Sequence, residues 1–507
     1  MHPLRLLSIV CTHLSAFLLL SHLVPAQTPM DPKDAARYRE ELAPGKTFEA
    51  RVETMKNVAY HNSLEAMAIL LDGLTGSFKE LESLEVRRAE NDEALRKIIE
   101  PRMRAAQGGL IDYSGTEKFQ EMQKGLGILI TLEEQAVAKY FELFTMFTNP
   151  DVLQSLRKLR PKGPRRLALF LIALYGKFDQ PLFTERLIEL LSEKDLDLRI
   201  AAAESLSHHD PSRIPPQCYA SILNAKEWEA RAVAIDALGR HGGLEAVQLL
   251  VQRSVLEEGR LLTDVCDRLE AMTGQKLGKT GRAWLAWWEK NKEACKPTRV
   301  VLTNTVRAKT DAKTNYWGVA IDSLRVVFVI DISGTMQAAL EDHENYFPPE
   351  GQARIDLARR ELKAAITSLP SDALFNVIAY NDVVFRWQEK IQKADPKTKE
   401  KSFEWLDSLQ ACSATNIYDS LELAFQVVRP GVKDKYYDQS ADTIVFLSDG
   451  GPTAGRSTDC DEILRQVREW NKTKKVVLHT IGIGKQLNQS FMKALAEQNF
   501  GECRFIQ

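Results

Sequence analysis

The stretch from Arg325 to Met336 constrains the fold of this chain more than any other. A run of apolar residues, Val326 to Ile330, is followed at once by Asp331, Ser333 and Thr335. A short, β-branched run of this kind is typical of a strand buried on both faces of a parallel sheet. Ligands bind at the carboxyl ends of such strands. The sequence therefore predicts a carboxylate and two hydroxyls at one sheet edge, an all-oxygen set that suits a hard divalent cation.

Two later segments add to this predicted site. Thr415 precedes a run of apolar residues at helical spacing, so it is expected in a strand-to-helix loop. A second buried-strand pattern, from Thr443 to Leu447, leads directly into Ser448 and Asp449. Because the carboxyl ends of parallel strands meet at the same edge of a sheet, Asp449 is expected at the same end of the sheet as the first carboxylate.

These residues resemble the metal-ion-dependent adhesion site of the von Willebrand factor A domains, which share their fold with integrin inserted domains. The family pattern is D-x-S-x-S, then a distant Thr, then a distant Asp before Gly. It is matched here by Asp331, Ser333, Thr335, Thr415 and Asp449. The one departure is Thr335 where the family usually has Ser, and it keeps the hydroxyl.

The resemblance implies a doubly wound, Rossmann-like α/β domain over residues 325–507. It also implies a Mg²⁺ or Mn²⁺ held directly by the hydroxyls and partly through water by the two carboxylates. An open coordination position would then be filled by an Asp or Glu carboxylate of a protein partner. The function implied is adhesion or another protein–protein interaction.

An enzymatic interpretation of the same strand is a haloacid-dehalogenase-like phosphohydrolase, whose strand ends in D-x-D-G-T. In that motif the first Asp is the nucleophile and the second is the general acid. Ser333 stands at the second position, and a serine of ordinary acidity cannot protonate a leaving group as a carboxylic acid can. No nucleophile, base and orienting residue can be identified elsewhere, so we expect a non-enzymatic protein and assign no catalytic residue.

Residues 1–26 have the features of a secretory signal peptide. Arg5 precedes a mostly apolar stretch, Leu6 to Leu20, and Val24-Pro25-Ala26 offers small residues before a cleavage site. The alternative is an uncleaved anchor, for which the segment is short and interrupted by polar residues. We therefore expect an exported protein, secreted or in the periplasm or cell envelope, without a membrane span after cleavage. The net charge of −2 predicts no nucleic-acid partner.

Helical patterns dominate residues 27–160. Charged residues alternate with apolar ones at three- and four-residue spacing, which is typical of amphipathic helices. The segment from Leu81 to Arg104 is so rich in Glu and Arg that we expect a solvent-exposed helix without a binding role. The six cysteines of the mature chain are widely scattered and form no C-x-x-C pair, so buried or partly buried thiols are expected.

An internal period appears over residues 161–295. Leu174, Leu206 and Leu238 follow one another at intervals of 32 residues, and Leu269 comes 31 residues later. Arg199 and Arg231 occupy equivalent positions of this period. The stretch resembles HEAT-like repeats, which implies an α-solenoid; the alternative is an irregular helical bundle. A solenoid would allow a second function, a cell-envelope scaffold or assembly factor that works through its helical surface, with the metal only structural.

Two further segments are assigned to connections. Thr273 to Thr280 is similar to a phosphate-binding loop, but Gly274 and Gly278 enclose three residues where four are required, so a loop between helices is expected. Residues 296–324 are polar with β-prone pieces and are predicted to be a linker that adds an edge strand. Within the C-terminal domain, Val383 to Phe385 is predicted to pair as an antiparallel edge hairpin.

Overall fold

The computed structural model describes residues 30–105, 114–159, 165–299, 314–321, 323–340, 348–349, 351–428, 441–471, 476–485 and 487–506. The predicted signal peptide, most of the acidic insertion at 341–350 and the first part of the linker lie outside these residues. Among the described residues, no helix is both long enough and apolar enough to cross a membrane. All six cysteines of the described part are free thiols.

The described residues before 300 are almost entirely helical, as predicted. Helix starts coincide with local capping signals: Asp31 accepts a hydrogen bond from the backbone of Lys33, and Asp195 accepts from Asp197 and Leu198. The helices are α1 (Pro32–Glu41), α2 (Phe48–Tyr60), α3 (Leu64–Ala105), α4 (Glu117–Phe144), α5 (Pro150–Lys158), α6 (Arg165–Tyr175), α7 (Pro181–Leu190), α8 (Leu196–Leu206), α9 (Ala220–Leu223), α10 (Trp228–His241), α11 (Leu244–Ser254), α12 (Gly259–Thr273) and α13 (Gly281–Asn291).

The charged helix expected to be solvated is the second half of α3, and that expectation is wrong for one of its faces. Glu85 and Arg88 are buried, and Leu95 and Ile99 belong to an apolar core that also contains Phe328 of the C-terminal domain. The charges of this face are paired with charges of the C-terminal domain and of α6, rather than with water. A sequence pattern alone does not distinguish these two environments.

The residues of the 32-residue period occupy matching places in alternate helices. Leu174, Leu206, Leu238 and Leu269 lie in α6, α8, α10 and α12, and all four are completely buried. Each of these helices packs on the next one of the four. The assignment to HEAT-like repeats stays a prediction.

The two equivalent arginines also make equivalent contacts. Arg199 of α8 lies 3.7 Å from Glu227, just before α10, and Arg231 of α10 lies 2.7 Å from Glu257, just before α12. The segment similar to a phosphate loop connects α12 to α13, as expected. The indole of Trp284 donates to the Gly278 carbonyl from 3.1 Å, so this loop is held by the helix that follows it.

The C-terminal domain is a seven-stranded sheet with the order β5-β4-β3-β7-β8-β9, in which β6 also pairs with β4. The pairs from β4 through β9 along this order are parallel, and β5 and β6 pair antiparallel with β4. The strands of the sheet are β3 (Arg325–Asp331), β4 (Leu374–Tyr380), β5 (Val384–Arg386), β6 (Gln392–Lys393), β7 (Thr443–Ser448), β8 (Val477–Ile483) and β9 (Cys503–Ile506). The predicted edge hairpin is present as β5.

Before the sheet, β1 (Thr314–Tyr316) and β2 (Val319–Ile321) pair with each other as a separate two-stranded sheet. The linker therefore contributes a small hairpin here, where an edge strand of the main sheet was expected. The tight turn between the two strands places both Trp317 and Gly318 at positive φ.

Helices cover both faces of the main sheet, which is the doubly wound arrangement predicted. Val326, Phe328 and Ile330 pack with one set of helices, and Val327 and Val329 pack with the other. The first set is α14 (Arg354–Ser368) and α15 (Pro396–Ser408); the second is α16 (Ile417–Val428), α17 (Cys460–Asn471) and α18 (Gln489–Glu497). The core of the second face is continuous with the core of the N-terminal helices, so the two parts of the chain share a hydrophobic interior.

Candidate metal centre

Asp331 ends β3 at the carboxyl edge of the sheet, where it stands opposite Tyr380 of β4. The side chain is completely buried. Its Oδ1 accepts a hydrogen bond from the backbone N–H of Ser333 at 2.8 Å, and its Oδ2 accepts from the hydroxyls of Ser448 at 2.8 Å and Tyr380 at 3.2 Å. Three hydrogen bonds, from the loop after β3, from β7 and from β4, thus orient this carboxylate.

The hydroxyls and the second carboxylate lie next to one another. Ser333 Oγ and Thr335 Oγ1 are 3.1 Å apart, and the Thr335 hydroxyl donates to Asp449 Oδ1 at 2.8 Å. A short 3₁₀ helix, Gly334–Gln337, follows Ser333 and turns Thr335 back toward the sheet edge. Ser333 and Asp449 are buried whereas Thr335 is exposed. The cluster therefore opens to solvent on the Thr335 side.

Thr415 lies in a loop beside this cluster. The backbone N–H of Gly334 donates to the Ser413 carbonyl at 2.9 Å, which fixes the loop against the 3₁₀ helix. Thr415 itself is hydrogen-bonded through its backbone to Thr453, from N to Oγ1 at 2.9 Å. Among the described residues, hydrogen bonds connect Asp331 to Ser333, Ser333 to Thr335, and Thr335 to Asp449. The Thr415 loop lies beside these four residues, but no hydrogen bond in the described part of the chain connects the Thr415 hydroxyl to them.

Burial dominates the electrostatics of the two carboxylates. Burial, together with the nearby charge of Asp449, raises the pKa of Asp331 to about 7, while the hydrogen bonds from Ser333 and Ser448 act in the opposite direction. Burial also raises the pKa of Asp449, against the hydrogen bonds from Thr335 and Arg354. Two carboxylates held together away from water favour a bound cation, because each destabilises the charge of the other.

The donor chemistry fits a hard divalent ion. The four clustered residues offer only carboxylate and hydroxyl oxygens, the ligands that Mg²⁺ and Mn²⁺ prefer. Within the described parts of the chain, no group of three or more His, Cys, Asp and Glu side chains is arranged to hold a metal ion. A site with two carboxylates and additional hydroxyls does not depend on such a group.

Three residues that support the cluster were not predicted as part of it. Ser448 and Tyr380 contact Asp331, and Arg354 donates from Nη1 to Asp449 Oδ2 at 2.9 Å. Ser448 and Tyr380 carry a weak sequence signal, since each is a polar residue at the end of an apolar strand. Arg354 carries none, because its contact with a residue 95 positions away depends on the folded arrangement.

The comparison with known protein families concerns this same part of the chain. The family described as von Willebrand factor type A domain matches residues 324–505. These residues form a von Willebrand factor type A domain. The match begins one residue before β3 and ends within β9.

Curated relatives match little more than a third of this chain. Inter-alpha-trypsin inhibitor heavy chain H3 of Rattus norvegicus is 26% identical over 190 residues, which cover 37% of this chain and 20% of the relative. Inter-alpha-trypsin inhibitor heavy chain H4 of Homo sapiens is 28% identical over 182 residues, which cover 36% of this chain and 18% of the relative. The chain thus spans about a fifth of the length of these relatives.

Solved structures are also similar to part of this chain. A von Willebrand factor type A protein from Catenulispora acidiphila is 21% identical with a TM-score of 0.30, and the match covers 37% of this chain and 40% of that one. Proximal thread matrix protein 1 from the mussel byssus, with a zinc-occupied MIDAS motif, is 17% identical with a TM-score of 0.26, covering 36% and 40%.

Proposed function

We propose that this chain is an exported, non-enzymatic protein that binds a protein partner through a divalent cation in its von Willebrand factor type A domain. The cation is Mg²⁺ or Mn²⁺, and the partner supplies an Asp or Glu carboxylate. Asp331, Ser333, Thr335, Thr415 and Asp449 hold the metal. The observation that carries this proposal is the contact of Ser333, Thr335 and Asp449 in a row beside Asp331 at the carboxyl edge of the sheet.

The chain's own residues prepare the site in two ways. The Ser448 and Tyr380 hydroxyls orient the Asp331 carboxylate, so that its position does not depend on the partner. The short helix after Ser333 places Thr335 at the surface. A bound divalent cation would supply a Lewis-acidic position at which a carboxylate oxygen can bind. Contacts that orient a metal ligand, as Ser448 and Tyr380 orient Asp331, commonly change metal affinity about 10- to 100-fold when they are removed.

A second candidate function rests on the helical half. The stacking of α6, α8, α10 and α12 favours an extended protein-binding surface, on which a scaffold or assembly factor could act without the metal. The two functions differ in one observable property. Chelation of divalent cations abolishes partner binding in the first case and leaves it intact in the second.

The first experiment is calorimetric titration of Mg²⁺ and of Mn²⁺ into the full-length protein. Asp331→Asn removes one ligand charge and keeps the side-chain shape, and Asp372→Asn changes an exposed residue just before β4, away from the site. We expect saturable binding to the unchanged protein and to the Asp372 variant, and affinity lower by at least about tenfold in the Asp331 variant. Absence of saturable binding to the unchanged protein would overturn the metal-dependent function.

Export is tested separately. A fusion of residues 1–26 to a reporter enzyme that is active only outside the cytoplasm reports translocation of the amino terminus. The matched control replaces Leu18 and Leu19 by charged residues, which removes the apolar segment that a signal peptide requires. Equal reporter activity of the two fusions would contradict the proposed export.

A further inference from the structure

Arg354 is a buried cation that contacts Asp449 of the candidate metal site on its interior side. It begins α14, and its side chain is only 3% exposed. Nη1 lies 2.9 Å from Asp449 Oδ2, the carboxylate oxygen that Thr335 does not use. Asp449 is thereby held between a hydroxyl on the solvent side and a guanidinium on the interior side.

The guanidinium is fixed in this place. Its Nε donates to the Ala339 carbonyl at 3.2 Å, and the backbone N–H of Arg354 donates to the Ala338 carbonyl at 3.0 Å. On the other side it lies against Gly484, where an added Cβ would come within 2.8 Å of the guanidinium carbon. Gly484 also has a φ of +87°, which disfavours any side chain there. The charge therefore cannot swing away from the site without rearranging the loop after β8.

This geometry gives the site an unusual charge balance. When both are ionised, Asp331 and Asp449 contribute two negative charges, and Arg354 offsets one of them from within the protein. A bound divalent cation then leaves one net positive charge, whereas the two carboxylates alone would leave none. Charges in a buried cluster interact strongly because the solvent screens them little.

We propose that Arg354 determines the ligand specificity of the metal site: its fixed charge weakens cation binding and leaves the loaded site positive, so that it selects an anionic carboxylate over a neutral oxygen ligand. The inference rests on the proposed function and adds to it a reason for the class of partner. Arg354 is thus a positioning and specificity residue. It acts through its contact with Asp449 and does not bind the metal itself.

A purely structural role for the Arg354–Asp449 pair has the opposite consequence. If the guanidinium only orients Asp449, its removal disorders a ligand and weakens metal binding. If its charge sets the affinity, its removal strengthens metal binding, although one hydrogen bond to Asp449 is lost. The sign of the change in metal affinity therefore distinguishes the two roles.

The test compares Arg354→Gln and Arg354→Lys with Arg360→Gln. Gln removes the charge and keeps an N–H donor, Lys keeps the charge, and Arg360 is an exposed residue of the same helix, with 66% of its side chain accessible. Circular dichroism and thermal unfolding establish that each variant is folded. Calorimetric titration at pH 8 then measures Mg²⁺ affinity, and the water-proton relaxation of the Mn²⁺-loaded proteins is followed as sodium acetate is added.

We expect Arg354→Gln to bind Mg²⁺ about tenfold more tightly, because the substitution removes a positive charge that repels the cation in a partly screened site. The same variant should bind acetate at least about tenfold more weakly once it is loaded with Mn²⁺. Arg354→Lys and Arg360→Gln should stay close to the unchanged protein in both measurements. Unchanged or weaker Mg²⁺ binding by Arg354→Gln would overturn this inference and leave the metal-dependent function standing.

The remaining outcomes separate the two proposals. If Arg354→Gln binds Mg²⁺ and the other proteins do not, the role of Arg354 is supported. The proposed function of the natural site is then contradicted, because its own arginine prevents metal binding. Absence of binding by all the proteins would overturn both. If Arg354→Gln does not fold, Arg354→Met decides, since it also removes the charge and keeps an unbranched side chain: unchanged or weaker Mg²⁺ binding by that variant would contradict control by the charge.

Discussion

Arg88 Nη2 lies 2.6 Å from Asp419 Oδ1, a contact that joins α3 of the helical half to the first turn of α16. Both side chains are nearly inaccessible, with 8% and 11% of their surfaces exposed. The Asn416 amide donates to the other oxygen of Asp419 at 2.8 Å, one residue after Thr415. Against the effect of burial, Arg88 and Asn416 hold the pKa of Asp419 below its ordinary value. The helical half thus supports the loop that borders the candidate metal centre.

Replacement of Arg88 by Met should destabilise the protein strongly. Arg88 also faces Glu422 at 3.5 Å, so its loss removes a cation that two buried carboxylates share. Breaking a buried pair in this way costs about 3–5 kcal/mol. Urea unfolding of the full chain measures the effect, and Arg87→Met, at an exposed neighbouring position, is the control. A loss below about 1 kcal/mol, the usual value for a surface pair, would contradict a structural role for this contact.

A second prediction concerns the pH dependence of stability at the same interface. Asp92 lines an open cavity of about 340 Å³ between α3 and the C-terminal domain. Burial, with a smaller contribution from the charge of Asp419, raises the pKa of Asp92 to about 6 against the opposing charges of Arg88 and Arg96. The folded protein therefore holds a proton on Asp92 between about pH 4 and pH 6 that the unfolded chain releases. The destabilisation by Asp92 is absent below about pH 4 and complete above about pH 6.

Asp92→Asn should consequently raise the free energy of unfolding at pH 7.5 and leave it unchanged near pH 4. A third of the Asp92 side chain is accessible, so solvent screening reduces the expected gain to about 1 kcal/mol. Urea unfolding at several pH values follows the difference between the variant and the unchanged protein. Glu93→Gln, at a neighbouring and 51% exposed side chain, should show no such pH-dependent gain. A gain that is the same at pH 4 and pH 7.5 would rule out titration of Asp92 as its cause.

The sequence predicted those parts of the site that depend on local patterns. The apolar run before Asp331 and the one before Asp449 are strand signals, and polar residues that end neighbouring parallel strands meet at one edge. The contact between Arg88 and Asp419 could not be predicted from such local patterns. A charged helix face looks the same in sequence whether it meets water or an acidic partner, and here the partner lies 331 residues away. Tyr380 and Arg354 likewise acquire their contacts only when the sheet has formed.

The departure of Thr335 from the usual serine provides a third prediction. Its hydroxyl contacts Ser333 and donates to Asp449. Thr335→Val keeps the shape and removes this hydroxyl, so Mg²⁺ affinity should fall at least about tenfold. Thr335→Ser keeps the hydroxyl and should stay within about threefold of the unchanged protein. Calorimetric titration compares the two variants, and equal affinities would mean that the hydroxyl is not a ligand.

Tyr380 provides the last prediction, because it links the candidate metal centre to the stability of the sheet. Its hydroxyl lies 3.2 Å from Asp331 Oδ2 and 3.1 Å from the Leu447 carbonyl, and it is completely buried. Tyr380→Phe leaves two buried acceptors without this donor, at a cost of about 1–3 kcal/mol in unfolding free energy. Mg²⁺ affinity should also fall about tenfold, since Asp331 loses an orienting contact.

The chain offers a matched control in Tyr316. This tyrosine is equally inaccessible, but its hydroxyl has no hydrogen-bond partner among the described residues. Tyr316→Phe removes a buried polar atom that is already unsatisfied, so it should leave stability unchanged or raise it slightly. Urea unfolding and Mg²⁺ titration of both variants separate loss of a buried hydroxyl from loss of the Asp331 contact. If Tyr316→Phe and Tyr380→Phe lowered stability and Mg²⁺ affinity equally, the contact of Tyr380 with Asp331 would have no specific role.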